Sequence, residues 1–100
     1  MQQVTADNWE NVVDQTTAVV EFSAHWCGPC RAQEKILGDV EKTDGQVFIG
    51  KVDVDDDFQL ADRLGVRSVP TIVLFSGGRE QHRLVGLQQQ SALEALIYPN

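Results

Sequence analysis

The feature that most constrains the fold of this chain is a cysteine pair placed just after an apolar run. Residues 18–24, AVVEFSA, are mostly β-branched, aromatic or small, which is typical of a buried strand. The sequence CGPC follows at residues 27–30 and holds both cysteines of the chain. A helix is predicted after it, with Ile36, Leu37 and Val40 on its apolar face. Strand, cysteine motif and helix in this order predict that both thiols lie at the start of a helix.

The other elements are predicted from apolar periodicity and turn residues. Residues 46–54, 69–75 and 80–86 are predicted strands, and the sequence SGGR at 76–79 predicts a hairpin between the last two. An α/β domain over residues 1–100 follows, with helical crossovers between parallel strands and an antiparallel strand at one edge. Three further helices are predicted. The first has a cap at Thr5 or Asp7 and an apolar face of Trp9, Val12 and Val13, and the second has a cap at Asp56 or Asp57 and a face of Phe58, Ala61 and Leu64. The last has a cap at Ser91 and a face of Ala92, Leu93, Leu96 and Ile97.

The charge balance argues against a nucleic-acid partner. Fifteen acidic residues outnumber eight basic ones, for a net charge of −7, whereas phosphate binding needs clustered Lys and Arg. The main charge run is acidic, with Asp53, Asp55, Asp56 and Asp57, and predicts a solvated loop. No secretory signal and no apolar segment long enough to cross a bilayer are visible, so a cytoplasmic protein without a membrane partner is expected.

In the cytoplasm a lone Cys-x-x-Cys pair is more typical of catalysis or metal binding than of a structural disulfide. At the start of a helix, Cys27 faces unpaired N–H groups and the positive end of the helix dipole, which lower a thiol pKa. We therefore expect Cys27 to be the nucleophile and the deeper Cys30 to be the resolving thiol. A metal site with His25 and His82 is the alternative, although zinc sites normally supply a second close pair. No metal or other cofactor is expected.

Several motifs together resemble the thioredoxin family along nearly the whole chain. They are Trp-Cys-Gly-Pro-Cys after a strand, Val-Pro-Thr at the start of a later strand, and a Gly-Gly hairpin followed by Val85 and Gly86. The resemblance implies the thioredoxin fold, a central mixed β-sheet flanked by helices on both faces. It also implies a monomeric thiol-disulfide oxidoreductase that reduces disulfides in protein substrates and is recharged by thioredoxin reductase. A thioredoxin fold that acts only as a binding module, with incidental thiols, is the alternative.

The resemblance also implies a substrate groove. Pro70 would be a cis proline that faces the cysteines, and an extended substrate segment would pair with the backbone beside it. The groove residues implied in this way are Trp26, Gly28, Pro29, Val69, Pro70 and Gly86.

Glu21 is the unusual residue of the first long strand, because it interrupts an apolar run before Cys27. The family has a buried aspartate at this position, which accepts the proton of the resolving cysteine, and a nearby lysine that matches Lys51. By resemblance, Glu21 is the proton acceptor and Lys51 modulates it. The alternative is a solvated glutamate that faces the edge of the sheet.

The sequence departs from the family pattern in two further places. The family usually has a proline five residues after the second cysteine, where this chain has Lys35, so the helix is predicted to continue without a proline kink. The residues after the motif, RAQEK, are polar where the family is usually apolar. A different preference for partners at that side of the groove is therefore expected.

Overall fold

A computed structural model describes residues 1–99 as a five-stranded sheet with helices on both faces. The strands lie in the order β1, β3, β2, β4, β5, which places β2 at the centre. The strands are β1 (Gln2–Gln3), β2 (Ala18–Ser23), β3 (Phe48–Asp53), β4 (Thr71–Ser76) and β5 (Arg79–Val85). The helices are α1 (Trp9–Val13), α2 (Gly28–Thr43), α3 (Phe58–Arg63) and α4 (Gln90–Ile97).

The sheet is mixed. β2 pairs in parallel with β3 through the α2 crossover, and β1 also runs parallel to β3. β4 pairs antiparallel with β2, and the hairpin strand β5 pairs antiparallel with β4. The sequence analysis expected helical crossovers to join parallel strands. This is correct for β2 and β3, which α2 connects, but wrong for β3 and β4, which α3 connects. Helical periodicity does not reveal the direction of the strand that follows the helix. The two-residue strand β1 was also missed, being too short to show an alternating pattern.

Each face of the sheet carries its own apolar core, which confirms helices on both faces. One core packs α1 and α3 against one face, and the other packs α2 and α4 against the opposite face. The side chains of β2 alternate between them: Val20 and Phe22 belong to the first core, and Val19 belongs to the second. By the same alternation Glu21 points to the α2 and α4 face.

Two helix starts differ from the sequence prediction. α1 begins after Asn8, whose side chain accepts a hydrogen bond from the Thr5 backbone N–H at 2.8 Å. α4 begins after Gln89 and not at Ser91. Neither Asn8 nor Gln89 makes a side-chain capping bond, and of the two only Asn8 is a residue type that commonly caps a helix.

Two residues predicted to face the core are exposed, namely Phe58 at the start of α3 and Ala92 in α4. The last apolar residue predicted for α3, Leu64, is its C-cap and is half-buried. The next residue, Gly65, has a φ of 72°, in the left-handed region that commonly ends a helix.

The hairpin and the motif helix follow the sequence prediction. Gly77 and Gly78 both have positive φ, 59° and 84°, which a two-residue turn between twisted strands requires. α2 runs unbroken through Lys35 for 16 residues, and no helix of the described chain is long and apolar enough to cross a membrane.

Candidate active site

The two cysteines lie at the start of α2 and form a disulfide. Cys27 is the N-cap of the helix, and its sulfur accepts a hydrogen bond from the Cys30 backbone N–H at 3.2 Å. Cys27 keeps 4% of its surface exposed, whereas Cys30 is fully buried. The structure therefore places the first sulfur against the positive end of the helix and nearer to solvent, and the second sulfur behind it.

Of the residues expected to form the groove, some adjoin the cysteines in the chain and the others are linked to them through contacts of Val69 and Pro70. Trp26 is 72% exposed, and its indole N–H donates to Asp55 Oδ2 at 2.9 Å. The Val69–Pro70 peptide bond is cis, and Val69 packs against the cluster that contains both cysteines. The Gly86 backbone N–H donates to the Pro70 carbonyl at 2.9 Å. Gly28 and Pro29 are exposed at the first turn of α2.

A shallow hollow of about 130 Å³ opens beside Trp26 and Val69. Its other lining residues are Val54, Val66, Arg67 and Ser68, which the sequence analysis did not single out. A larger hollow of about 370 Å³ lies at the opposite end of the strands, between β4, β5 and α4, away from the cysteines.

The histidines do not join the cysteines in one metal site. His82 lines the distant hollow and pairs with Leu74 in the β4–β5 ladder. His25 is exposed beside the motif, and its Nε2 lies 2.9 Å from Asp53 Oδ2 at the end of β3. The alternative of a site shared by both histidines and both cysteines is therefore wrong.

Glu21 is completely buried beneath α2, so the alternative of a solvated glutamate is wrong. Within residues 1–99 neither of its carboxylate oxygens has a hydrogen-bond partner. The pKa of Glu21 is raised from 4.5 to about 9, mainly because burial deprives the charged form of its hydration and also because the Glu34 charge lies nearby. The charges of Lys51 and Arg31 lower the pKa of Glu21 but do not reverse the shift.

Glu34, on the second turn of α2, binds the polar groups around Glu21. Its Oε1 lies 3.5 Å from Lys51 Nζ, and its Oε2 lies 3.0 Å from an Arg31 guanidinium nitrogen. The Ser23 hydroxyl donates to Oε2 at 2.8 Å. Lys51, the register neighbour of Glu21 on β3, thus pairs with a carboxylate that the sequence analysis had assigned only to a polar stretch.

Gln33 was also missed. It belongs to the polar sequence RAQEK but is fully buried, and its side-chain amide makes two hydrogen bonds to the backbone of Gln88. The helical position of Gln33, three residues after the buried Cys30, was the available signal, because residues three apart share a helix face.

Comparisons with known proteins agree with this geometry. Residues 1–98 match the family model described as thioredoxin. The thioredoxin of Chlamydia caviae is 38% identical over 94 residues, covering 94% of this chain and 92% of that protein. A solved structure of a variant thioredoxin from Halobacterium salinarum is 34% identical, superposes with a TM-score of 0.92, and is matched over 98% of this chain and 88% of its own. A solved Plasmodium falciparum thioredoxin is 28% identical with a TM-score of 0.88, matched over 99% of this chain and 98% of its own.

The disulfide at the start of α2, together with the similarity to thioredoxins in sequence and fold, defines a thiol-disulfide oxidoreductase. The chain belongs to the thioredoxin family. Family membership implies, in general terms, protein substrates that contain disulfides and a reductase that restores the dithiol.

Proposed function

We propose that this protein reduces protein disulfides with Cys27 as nucleophile and Cys30 as resolving thiol. The Cys27 thiolate attacks one sulfur of the substrate disulfide, forms a mixed disulfide and releases the other substrate sulfur as a thiolate, which takes up a proton. Cys30 then loses its proton, attacks Cys27 Sγ and releases the second substrate sulfur. The substrate gains two electrons and two protons, and the cysteine pair becomes the disulfide seen in the structure.

The observation that carries this assignment is the position of Cys27 Sγ at the N-terminus of α2, where the Cys30 N–H donates to it. Such a bond and the helix dipole favour the thiolate, which is the reactive form. Cys30 is fully buried, so it is better placed to attack the neighbouring sulfur than an incoming protein.

Glu21 is proposed as the acceptor of the Cys30 proton. A carboxylate whose pKa is raised to about 9, mainly by burial, is a stronger base than an exposed carboxylate, although a smaller fraction of it is ionised at neutral pH. Lys51 is proposed to modulate Glu21, since its charge lowers the pKa of Glu21. The extra methylene of glutamate relative to the family's aspartate lengthens the reach of this acid.

The substrate segment is proposed to lie in an extended conformation across Trp26, Gly28, Pro29, Val69, Pro70 and Gly86. The exposure of Trp26, Gly28 and Pro29 supports this proposal. The apolar hollow beside Val69 offers space for a substrate side chain. Backbone pairing of this kind recognises an extended chain without requiring one particular sequence.

The proposal also covers the domain organisation, the oligomeric state, the location and the electron donor of the protein. Residues 1–100 act as one thioredoxin domain, which works as a monomer in the cytoplasm and receives electrons from thioredoxin reductase. Neither a bound cofactor nor a nucleic-acid or membrane partner is required, because the reaction exchanges only sulfur-sulfur bonds and protons.

A turnover assay tests the proposed function. The protein is supplied with a thioredoxin reductase and its electron donor, and the reduction of the interchain disulfides of insulin is followed, together with the reduction potential of the cysteine pair. We expect multiple turnovers by the parent and none by Cys27→Ser. A parent that binds disulfide-containing proteins without reducing them would support the binding module in place of the reductase.

A further inference from the structure

The buried Gln33 amide connects the motif helix to the chain segment that follows β5. Its Nε2 donates to the Gln88 carbonyl at 3.0 Å, and the Gln88 backbone N–H donates to its Oε1 at 2.7 Å. Both hydrogen-bonding groups of one backbone residue are thus satisfied by one side chain. This pair of bonds, here called the Gln33–Gln88 clamp, resembles the two hydrogen bonds of one residue pair between antiparallel strands.

The clamp continues to the proposed groove through two further contacts. The Gln88 side-chain amide donates to the Gly86 carbonyl at 3.2 Å. The Gly86 backbone N–H in turn donates to the Pro70 carbonyl at 2.9 Å. Because residues 86–89 form no helix or strand, these bonds hold in place a segment that lacks regular secondary structure.

The cost of a broken clamp indicates why the segment stays in position. A buried amide without hydrogen-bond partners lowers the stability of the folded protein by about 1–3 kcal/mol. Gln33 therefore favours the conformation in which the Gln88 backbone faces α2. Val85 and Leu87, which flank Gly86, are exposed apolar residues. A shift of residues 86–88 would therefore move both the backbone and the apolar surface offered to a substrate.

We propose that Gln33 is a positioning residue that determines how well the protein recognises extended protein substrates, because its clamp fixes residues 86–88 as one wall of the groove. The hydrogen bonds of the Gln33 amide go to the Gln88 backbone, so Gln33 acts through Gln88 and Gly86. The inference rests on the proposed function of the groove, and it adds a residue that the Trp-Cys-Gly-Pro-Cys motif does not contain.

The test compares Gln33→Met with the parent in the reduction of insulin and of the small disulfide 5,5′-dithiobis(2-nitrobenzoate). Methionine keeps the length of the side chain but makes neither bond of the clamp. We expect KM for insulin to rise about tenfold with kcat changed less than about twofold, since a misplaced wall weakens substrate positioning. The ratio of kcat/KM for insulin to that for the small disulfide should fall by about the same factor.

Two further variants separate positioning from lost stability. Val40→Ala removes buried apolar atoms from the same helix and is expected to lower stability while leaving the ratio unchanged. Gln88→Ala keeps the backbone clamp, removes the side-chain bond to Gly86 and should lower the ratio about threefold even if Gln33→Met does not fold.

If the parent is active and the ratio is unchanged in both Gln33→Met and Gln88→Ala, the role of Gln33 is overturned, whereas the proposed function is not. A parent that fails to reduce insulin would overturn the proposed function and the Gln33 inference with it. Faster hydrogen exchange of the Gln88 amide in Gln33→Met is also expected, and unchanged exchange would contradict the clamp itself.

Discussion

Lys51 pairs with Glu34 at 3.5 Å, although its register neighbour on the central strand is Glu21. Glu34 also binds Arg31 and Ser23, so Lys51 and Arg31 are shared with a second carboxylate and only partly offset the rise in the pKa of Glu21. Burial disfavours the charged form of Glu21 and the Glu34 charge adds to this effect, so the buried carboxyl group prefers to be neutral.

The first prediction concerns Glu34→Gln. This variant removes a negative charge next to Glu21 and frees Lys51 and Arg31 to face it, and both changes favour ionised Glu21. We expect the pKa of Glu21 to fall from about 9 by roughly one unit or more. Carboxyl ¹³C NMR across a pH series measures this shift. Asp39→Asn, which removes one charge from elsewhere on the same helix, serves as the control, and an equal shift in both variants would show that only net charge matters.

The second prediction concerns the stability of Glu21→Gln. In the folded protein the pKa of Glu21 is raised from 4.5 to about 9, so between these values the folded state holds a proton that the unfolded state has lost. The free energy of unfolding of the parent should therefore decrease with rising pH in this window, by about 1.4 kcal/mol per unit from this group. A glutamine side chain at this position cannot ionise, so the variant should lose this decrease.

Urea unfolding at pH 5 and pH 8 measures the difference. The variant is expected to be close to the parent at pH 5 and clearly more stable at pH 8. Its resolution of mixed disulfides near pH 7 should be slower than the parent's, by on the order of 10²-fold, and should approach the parent's rate at high pH, where Cys30 ionises unaided. A variant that is less stable at pH 8 and resolves at the parent's rate would contradict both roles of Glu21.

The third prediction separates the two cysteines. Cys30→Ser should still attack a protein disulfide and should then accumulate as a mixed disulfide, because no second thiol is available to release it. Cys27→Ser should form no such product, since the remaining Cys30 is fully buried. Non-reducing electrophoresis with mass spectrometry of the trapped species measures this. Trapping by Cys27→Ser instead of Cys30→Ser would reverse the assigned roles.

The four longer strands, the hairpin and the location of the cysteines were predictable because each depends on local sequence. β2 is a largely apolar run, and two glycines supply the positive φ angles of the turn. The antiparallel direction of β4 was not predictable in this way, since it depends on how α3 returns the chain to the sheet.

The polar contacts beneath the motif depend on tertiary packing in the same way. Glu34 and Gln33 are adjacent in sequence and both look solvent-facing, yet one binds Lys51 on β3 and the other binds the Gln88 backbone. Only the fold brings these partners together. The Glu21 position was recognised from the apolar residues around it, whereas the charges that act on Glu21 come from other elements.

The last prediction concerns Gly50, which interrupts the apolar pattern of β3. A Cβ atom at this position would lie 2.5 Å from a Val4 side-chain carbon and 2.8 Å from a ring carbon of Phe48. Gly50 pairs with Gln2 of the short edge strand β1, so the absence of a side chain lets Val4 pack closely beside β3. Gly50→Ala should therefore destabilise the protein by about 1–3 kcal/mol through overpacking.

Gly45→Ala is the matched control, because a Cβ atom at Gly45 would meet nothing within 4 Å. Its free energy of unfolding should stay within about 0.5 kcal/mol of the parent's. Thermal and urea unfolding of both variants measure the difference, and hydrogen exchange at the Val4 amide, which donates to the Lys51 carbonyl at 2.8 Å, locates it. If Gly50→Ala unfolds at the same urea concentration as Gly45→Ala, close packing between Val4 and Gly50 is not what holds β1 on the sheet.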